Sequence, residues 1–184
     1  TAPRIAFIGA GNMCRAIIEG MLNSGFPAEQ ISASNRSEAS LSQLTRFNLG
    51  RVSTDNAEVV AGADVVVLGV KPAGIADVAA QLKAHLGPET VVMSVAAGVP
   101  MSVYERVLGG ERAIVRTMPN TPSTVGLGAT GLVANNATNS EQRALAEQVM
   151  ASVGIVEWVA SEALLDAVIA VAGSAPAYFF AFIE

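Results

Sequence analysis

The 184 residues predict an α/β fold, a doubly wound and mainly parallel sheet with helices on both faces. Three observations predict it. Apolar clusters of strand length alternate along the chain with stretches of helical period. Two of the clusters, Val66 Val67 Leu68 and Val91 Val92 Met93, are continuous rather than alternating, as expected of central strands covered on both faces. The first cluster runs directly into Gly9 Ala10 Gly11 and then into a helical period, so a tight turn joins a strand to a helix.

Each element follows from its own stretch. Strands are expected at 4–9, 31–34, 64–70, 90–96 and 113–117, and two later ones at 131–134 and 155–159 extend the sheet. Helices are expected at 13–24, 38–47, 56–61, 75–86, 102–108 and 140–152. Ser37 with Ser40, and Ser140 with Arg143, lack the acidic or amide partner of a full capping box, so these starts are approximate. Residues 164–183 are nearly all apolar and about long enough to span a bilayer. They contain Asp166, Gly173 and Pro176, sit between Glu162 and Glu184, and lack flanking Lys or Arg, which argues for a helix buried against protein on most of its circumference and against a membrane span. The apolar ending Phe179 Phe180 Ala181 Phe182 Ile183, without a cap, reads as a truncated chain whose exposed surface favours self-association.

Composition narrows the function. At 51% hydrophobic and 15% charged the chain is globular, and about 150 residues per domain leaves room for one complete domain and part of another. A net charge of −5 without a basic stripe excludes a nucleic-acid surface. One cysteine, Cys14, and one histidine, His85, supply neither a disulfide nor a metal cluster, which fits a cytoplasmic protein. His85 reads as a surface residue at a helix end, Cys14 as a packing residue and Trp158 as sheet packing.

The turn after the first strand carries the chemistry. Gly9 permits its tight bend, Gly11 lets the backbone approach a pyrophosphate, and Cys14 occupies the third place, where a small residue lets helix and strand pack closely. The amides that open the helix would receive the phosphate charge. This is the Rossmann-type dinucleotide fingerprint. Twenty-one residues after Cys14, where an acidic residue would select NAD, stands Asn35, followed by Arg36 and Ser37. Arg36 offers a guanidinium to a 2′-phosphate, and Ser34, Asn35 and Ser37 add neutral hydrogen bonds, so NADPH is favoured with NADH as the alternative.

Four further segments are expected at strand ends on the same edge: Val70 Lys71 Pro72, Ala96 Ala97 Gly98 Val99, the run from Arg116 through Pro119 Asn120 Thr121 Pro122, and Gly173 Ser174 Ala175 Pro176 Ala177 Tyr178. With the glycine turn and Ser34 to Arg36, this set resembles the pyrroline-5-carboxylate reductase family along the whole chain. The resemblance implies an NADP-binding Rossmann domain over 1–160 and, over 161–184, the first helix of an all-α domain through which subunits form a homodimer or larger homo-oligomer. It implies reduction of 1-pyrroline-5-carboxylate to L-proline, the last step of proline biosynthesis. It places Gly9, Gly11, Asn12 and Met13 at the pyrophosphate, Ser34, Asn35 and Arg36 at the adenosine ribose, and Asn56 near the cofactor. Val70, Lys71 and Pro72 fall beside the ribose and nicotinamide, Ala97 and Gly98 under the nicotinamide ring, and Glu162 near the imino acid.

Lys71 and Glu162 are thus the catalytic candidates. Lys71 can equally orient cofactor or backbone, Glu162 can equally cap a helix, and Asn120 can equally be a turn residue. Ala172 Gly173 Ser174 Ala175 Pro176 stands where the family has serine-glycine-serine-glycine-proline, a departure beside the expected substrate edge. A β-hydroxyacid dehydrogenase, sharing the fold, would need a lysine on its interdomain helix, and none follows Lys83. A binding or sensing module without turnover is the other class compatible with the fingerprint.

Overall fold

The computed structural model describes residues 2–173 and residue 183. Strands β1 (Ile5–Ile8), β2 (Ile31–Ser34), β3 (Arg51–Ser53), β4 (Val65–Leu68), β5 (Val91–Ser94), β6 (Ile114–Met118), β7 (Gly128–Ala134) and β8 (Gly154–Trp158) form one sheet in the order β3-β2-β1-β4-β5-β6-β7-β8. The first six are parallel, β7 runs antiparallel to β6, and β8 is parallel to β7. The order of the first six, with its reversal between β1 and β4, is that of a Rossmann sheet.

Alternation along the strands divides the core. Ile5, Phe7, Val65, Val67, Val91 and Met93 face α1 (Asn12–Asn23) and α6 (Ser140–Ala151). Ala6, Ile8, Val66, Leu68 and Val92 face α3 (Asn56–Val60), α4 (Ile75–Leu82) and α5 (Met101–Leu108). Each fully buried large side chain contributes roughly 1.5–3 kcal/mol, so both faces hold the sheet between helices. The continuous runs in β4 and β5 are central, as their pattern requires.

Three elements differ from expectation. The segment expected as a helix over 38–47 is α-helical only in α2 (Glu38–Leu41) and tightens to a 3-10 helix over Ser42–Phe47. Its buried residues Leu41, Leu44 and Phe47 are spaced by threes, the period at which 3-10 side chains align. Thr45 Oγ1 also donates to the Ser42 carbonyl at 2.8 Å. The edge strand β3 has one apolar residue in three and hence no alternation to detect. The capping box of α6 lies one residue earlier than the Ser140 frame: Asn139 Oδ1 accepts from the Gln142 amide and Gln142 Oε1 accepts from the Asn139 amide, both at 2.9 Å.

The last described helix, α7 (Glu162–Val168), continues as a π-helical turn over Ile169–Gly173. It rests on β7 where a Cβ at Gly131 would meet Leu165 Cδ1 at 3.0 Å. Among the described residues its burial is one-sided and does not extend round most of its circumference: Leu165 is 1% exposed, but Leu164 is 49% and Val171 71% exposed. Residues 174–182 of the expected 164–183 helix lie outside the described residues. Among the described residues, no helix is long and apolar enough to cross a membrane. Trp158 packs as a sheet residue, with the Arg143 guanidinium 5.1 Å from its ring centroid and its Nε1 donating to Glu147.

Candidate functional site

The carboxyl ends of β1, β2, β3 and β4 surround a cleft of about 750 Å³. Gly9, Gly11, Asn35, Arg36, Asn56, Val70 and Lys71 line it. The turn is rigidly tied to the sheet: the Gly9 and Ala10 amides donate to the Ser34 carbonyl at 3.1 and 3.0 Å, and Asn35 Nδ2 donates to the Ala10 carbonyl at 3.2 Å. Gly9 has φ +80°, and a Cβ there would lie 2.6 Å from Val70 Cγ1, so chain packing alone demands glycine.

Gly11 is different. The nearest atom to a Cβ built on it is the Gly9 carbonyl oxygen at 3.9 Å, so nothing in the protein needs the side chain to be missing. The bare backbone opens on the cleft, at the head of a helix with no side-chain cap and no acidic residue in its first turn. Uncapped amides and an uncompensated positive helix end suit a diphosphate. At the other side of the cleft, Arg36 is exposed and makes no ion pair among the described residues. The donors present therefore fit a dinucleotide carrying a 2′-phosphate.

Residues 4–98 match a family model described as NADP oxidoreductase, coenzyme F420-dependent. Over 180 residues the chain is 46% identical to the pyrroline-5-carboxylate reductase of Pseudomonas aeruginosa, covering 98% of this chain and 66% of that one. It superposes with a TM-score of 0.96 and 41% identity on a pyrroline-5-carboxylate reductase structure from Coxiella burnetii, covering 100% of this chain and 68% of that one. The chain belongs to the pyrroline-5-carboxylate reductase family. A Plasmodium falciparum pyrroline carboxylate reductase structure with NADP bound aligns with a TM-score of 0.87 at 28% identity, over 99% of this chain and 66% of that one. The chain thus spans about two thirds of the length of the reductases it matches.

Within this reductase fold the remaining candidates divide. Ser34 is fully buried, and its hydroxyl donates to Asn56 Oδ1 at 2.6 Å, so it holds Asn56 beside the cleft. Met13 packs partly buried against the core, Asn12 accepts from Arg15, and Pro72 opens the 3-10 turn Pro72–Gly74 that leads into α4. Ala97 and Gly98 do not line the cleft; they form an exposed turn after β5, the neighbouring strand on the same edge. Glu162 stands further along, where its Oε1 accepts from the Met101 amide at 2.6 Å and pairs with the Arg116 guanidinium. Asn120, two residues beyond β6, ties β7 to the π-helical turn: its Oδ1 accepts from the Ala129 amide at 2.9 Å and its Nδ2 donates to the Ala172 carbonyl at 3.0 Å.

Sequence reasoning missed Thr54 and the α4 residues Asp77 and Gln81, which also line the cleft. Their signal is a polar pair four residues apart, opposite buried Ile75, Ala79 and Leu82. It also missed how Cys14 is accommodated. A Cβ at Gly69 would meet Cys14 Sγ at 2.2 Å, so the extra volume in the third fingerprint place is matched by an absent side chain on the next strand end. Burial pushes the Cys14 thiol up to about 12. At pH 8 the thiol is then held in its protonated, unreactive form. Folded protein treated with iodoacetamide at that pH is expected to gain no mass, while urea-unfolded protein gains one carbamidomethyl group; rapid modification of the folded form would contradict the buried assignment.

Proposed function

We propose that the whole protein is a pyrroline-5-carboxylate reductase of the cytoplasm that uses NADPH, with NADH as a weaker alternative. The observation that carries this reading is Gly11, a glycine that the protein's own packing does not require, set at an uncapped helix start in a cleft that ends on Arg36. When bound, NADPH supplies a hydride from its nicotinamide C4 to the C=N carbon of a protonated cyclic imine, which becomes the secondary amine of L-proline.

The chain's residues have little acid or base work in such a reaction, because the iminium is already electrophilic. Their task is to hold the reactants about 3–3.5 Å apart and to exclude water. Gly9, Gly11, Asn12 and Met13 present backbone to the diphosphate, and Asn35 and Arg36 hold the adenosine end. Ser34 acts through Asn56. Val70, Lys71 and Pro72 are set beside the ribose and nicotinamide, with Lys71 orienting the cofactor, and Ala97 with Gly98 under the ring. Glu162 is set on the substrate side of that turn. Residues 1–160 form the cofactor domain and 161–184 begin a helical domain; exposed Leu164 on α7 and Val171 on the π-helical turn support a homo-oligomeric contact there.

The test is turnover by the intact protein. Loss of NADPH absorbance with stoichiometric formation of proline from pyrroline-5-carboxylate is the expected result. Tight NADPH binding without oxidation would replace the enzyme reading with that of a binding module.

A further inference from the structure

Arg116 is 5% exposed in the middle of β6, an unusual place for a guanidinium. It faces Glu162 of α7, and its Nε has no hydrogen-bond partner among the described residues. The same Glu162 oxygen receives the Met101 amide, the first of α5. This helix needs such a partner, since its N-cap is Pro100, with no capping side chain, and its own first turn has no acidic residue. Directly before Pro100 and Val99 lie Ala97 and Gly98, the latter at φ +72° with no atom within 4 Å of an added Cβ. On the strand side, Ser94 Oγ accepts from the Ala96 amide at 3.2 Å and from Tyr104 Oη at 2.7 Å. In sheet register Ser94 is the neighbour of Arg116. The Ala97–Gly98 turn is therefore gripped at both ends: at β5, where Ser94 accepts from Tyr104 of α5, and at the start of α5, where Glu162 of α7, paired with Arg116 of β6, receives the Met101 amide.

We propose that Arg116 is a positioning residue for hydride transfer: by fixing Glu162 as the cap of α5, it sets the Ala97–Gly98 turn and couples that turn to α7. The inference rests on the reductase reading, which places this turn under the nicotinamide. It assigns Glu162 a geometric task, with no proton exchanged with substrate. Because cofactor affinity resides mainly in the Gly9 to Arg36 cleft, loss of the strut disturbs the reacting end of the dinucleotide and spares its anchored end.

The experiment uses the intact protein. Arg116→Met leaves the Glu162 carboxylate half-buried and uncompensated; kcat should fall on the order of tenfold to a hundredfold. The Kd for NADPH should stay within about threefold, and the primary isotope effect with NADPH deuterated at the transferred position should rise as hydride transfer becomes rate-limiting. The double variant Arg116→Met, Glu162→Gln keeps an acceptor for the Met101 amide and holds no lone charge. Its kcat should rise above that of Arg116→Met, and protection of the Met101 amide against hydrogen exchange should return. If Arg116→Met does not fold, the double variant carries the comparison by itself. A double variant as slow as Glu162→Ala, which removes the cap, would mean that Glu162 acts chemically, and Arg116→Met at full kcat would mean that the strut sets nothing; either overturns the proposal. Failure of the unaltered protein to oxidise NADPH would instead overturn the reductase reading, leaving the amide-exchange result to judge the strut.

Discussion

Gly11→Thr is expected to leave the fold as stable as before and to weaken NADPH binding by on the order of a hundredfold. Gly11 is the N-cap of α1 with φ −76° and ψ −166°, an extended conformation open to any residue. Threonine and glycine are about equal as N-caps, so the unfolding free energy should change by less than about 0.5 kcal/mol. No protein atom contests the new Cβ, whose nearest neighbour would be the Gly9 carbonyl oxygen at 3.9 Å. The side chain instead fills the space through which a diphosphate reaches the helix amides. Gly9→Ala forms the contrast, since φ +80° and the 2.6 Å approach to Val70 make it costly to the fold as well as to binding. Urea unfolding and a fluorescence titration of NADPH on the same samples decide the matter. Unimpaired binding by Gly11→Thr would place the dinucleotide elsewhere.

Arg36→Ala is expected to cost NADPH about 1.5–3 kcal/mol, the usual worth of a charge-assisted hydrogen bond, or roughly ten- to 150-fold in Kd. NADH, which lacks the 2′-phosphate, should lose less than about threefold. The asymmetry follows from the position of Arg36: it lines the cleft, is exposed, and has no ion pair among the described residues to break. Parallel calorimetric titrations at two salt concentrations would read it, the NADPH preference shrinking as salt screens the phosphate. Equal loss for both dinucleotides would show that Arg36 does not recognise the phosphate.

Much of the cofactor side was legible because it is local. Gly9, Gly11, Cys14 and the Asn35 Arg36 pair each follow a strand by a short fixed spacing, and backbone geometry converts that spacing into position. The apolar runs of β4 and β5 announced two covered faces in the same way. The 3-10 character of Ser42–Phe47 was also written in the chain, as a three-residue spacing of Leu41, Leu44 and Phe47, but two periods so close are hard to separate over a few residues. Strand β3 left no trace, because its pairing with β2 comes from backbone groups that every residue carries.

By itself the sequence determined the alternation of strand and helix, the glycine turn at the head of α1, and a guanidinium in place of a carboxylate after β2, because each depends on residues within a few positions of one another. Only the tertiary structure decided that Glu162 caps a helix 61 residues away, that Arg116 is buried against it, and that Gly69 makes room for Cys14. Those contacts join segments distant in the chain. Their partners are chosen by which strand ends the sheet order brings side by side, and no spacing along the sequence encodes that order.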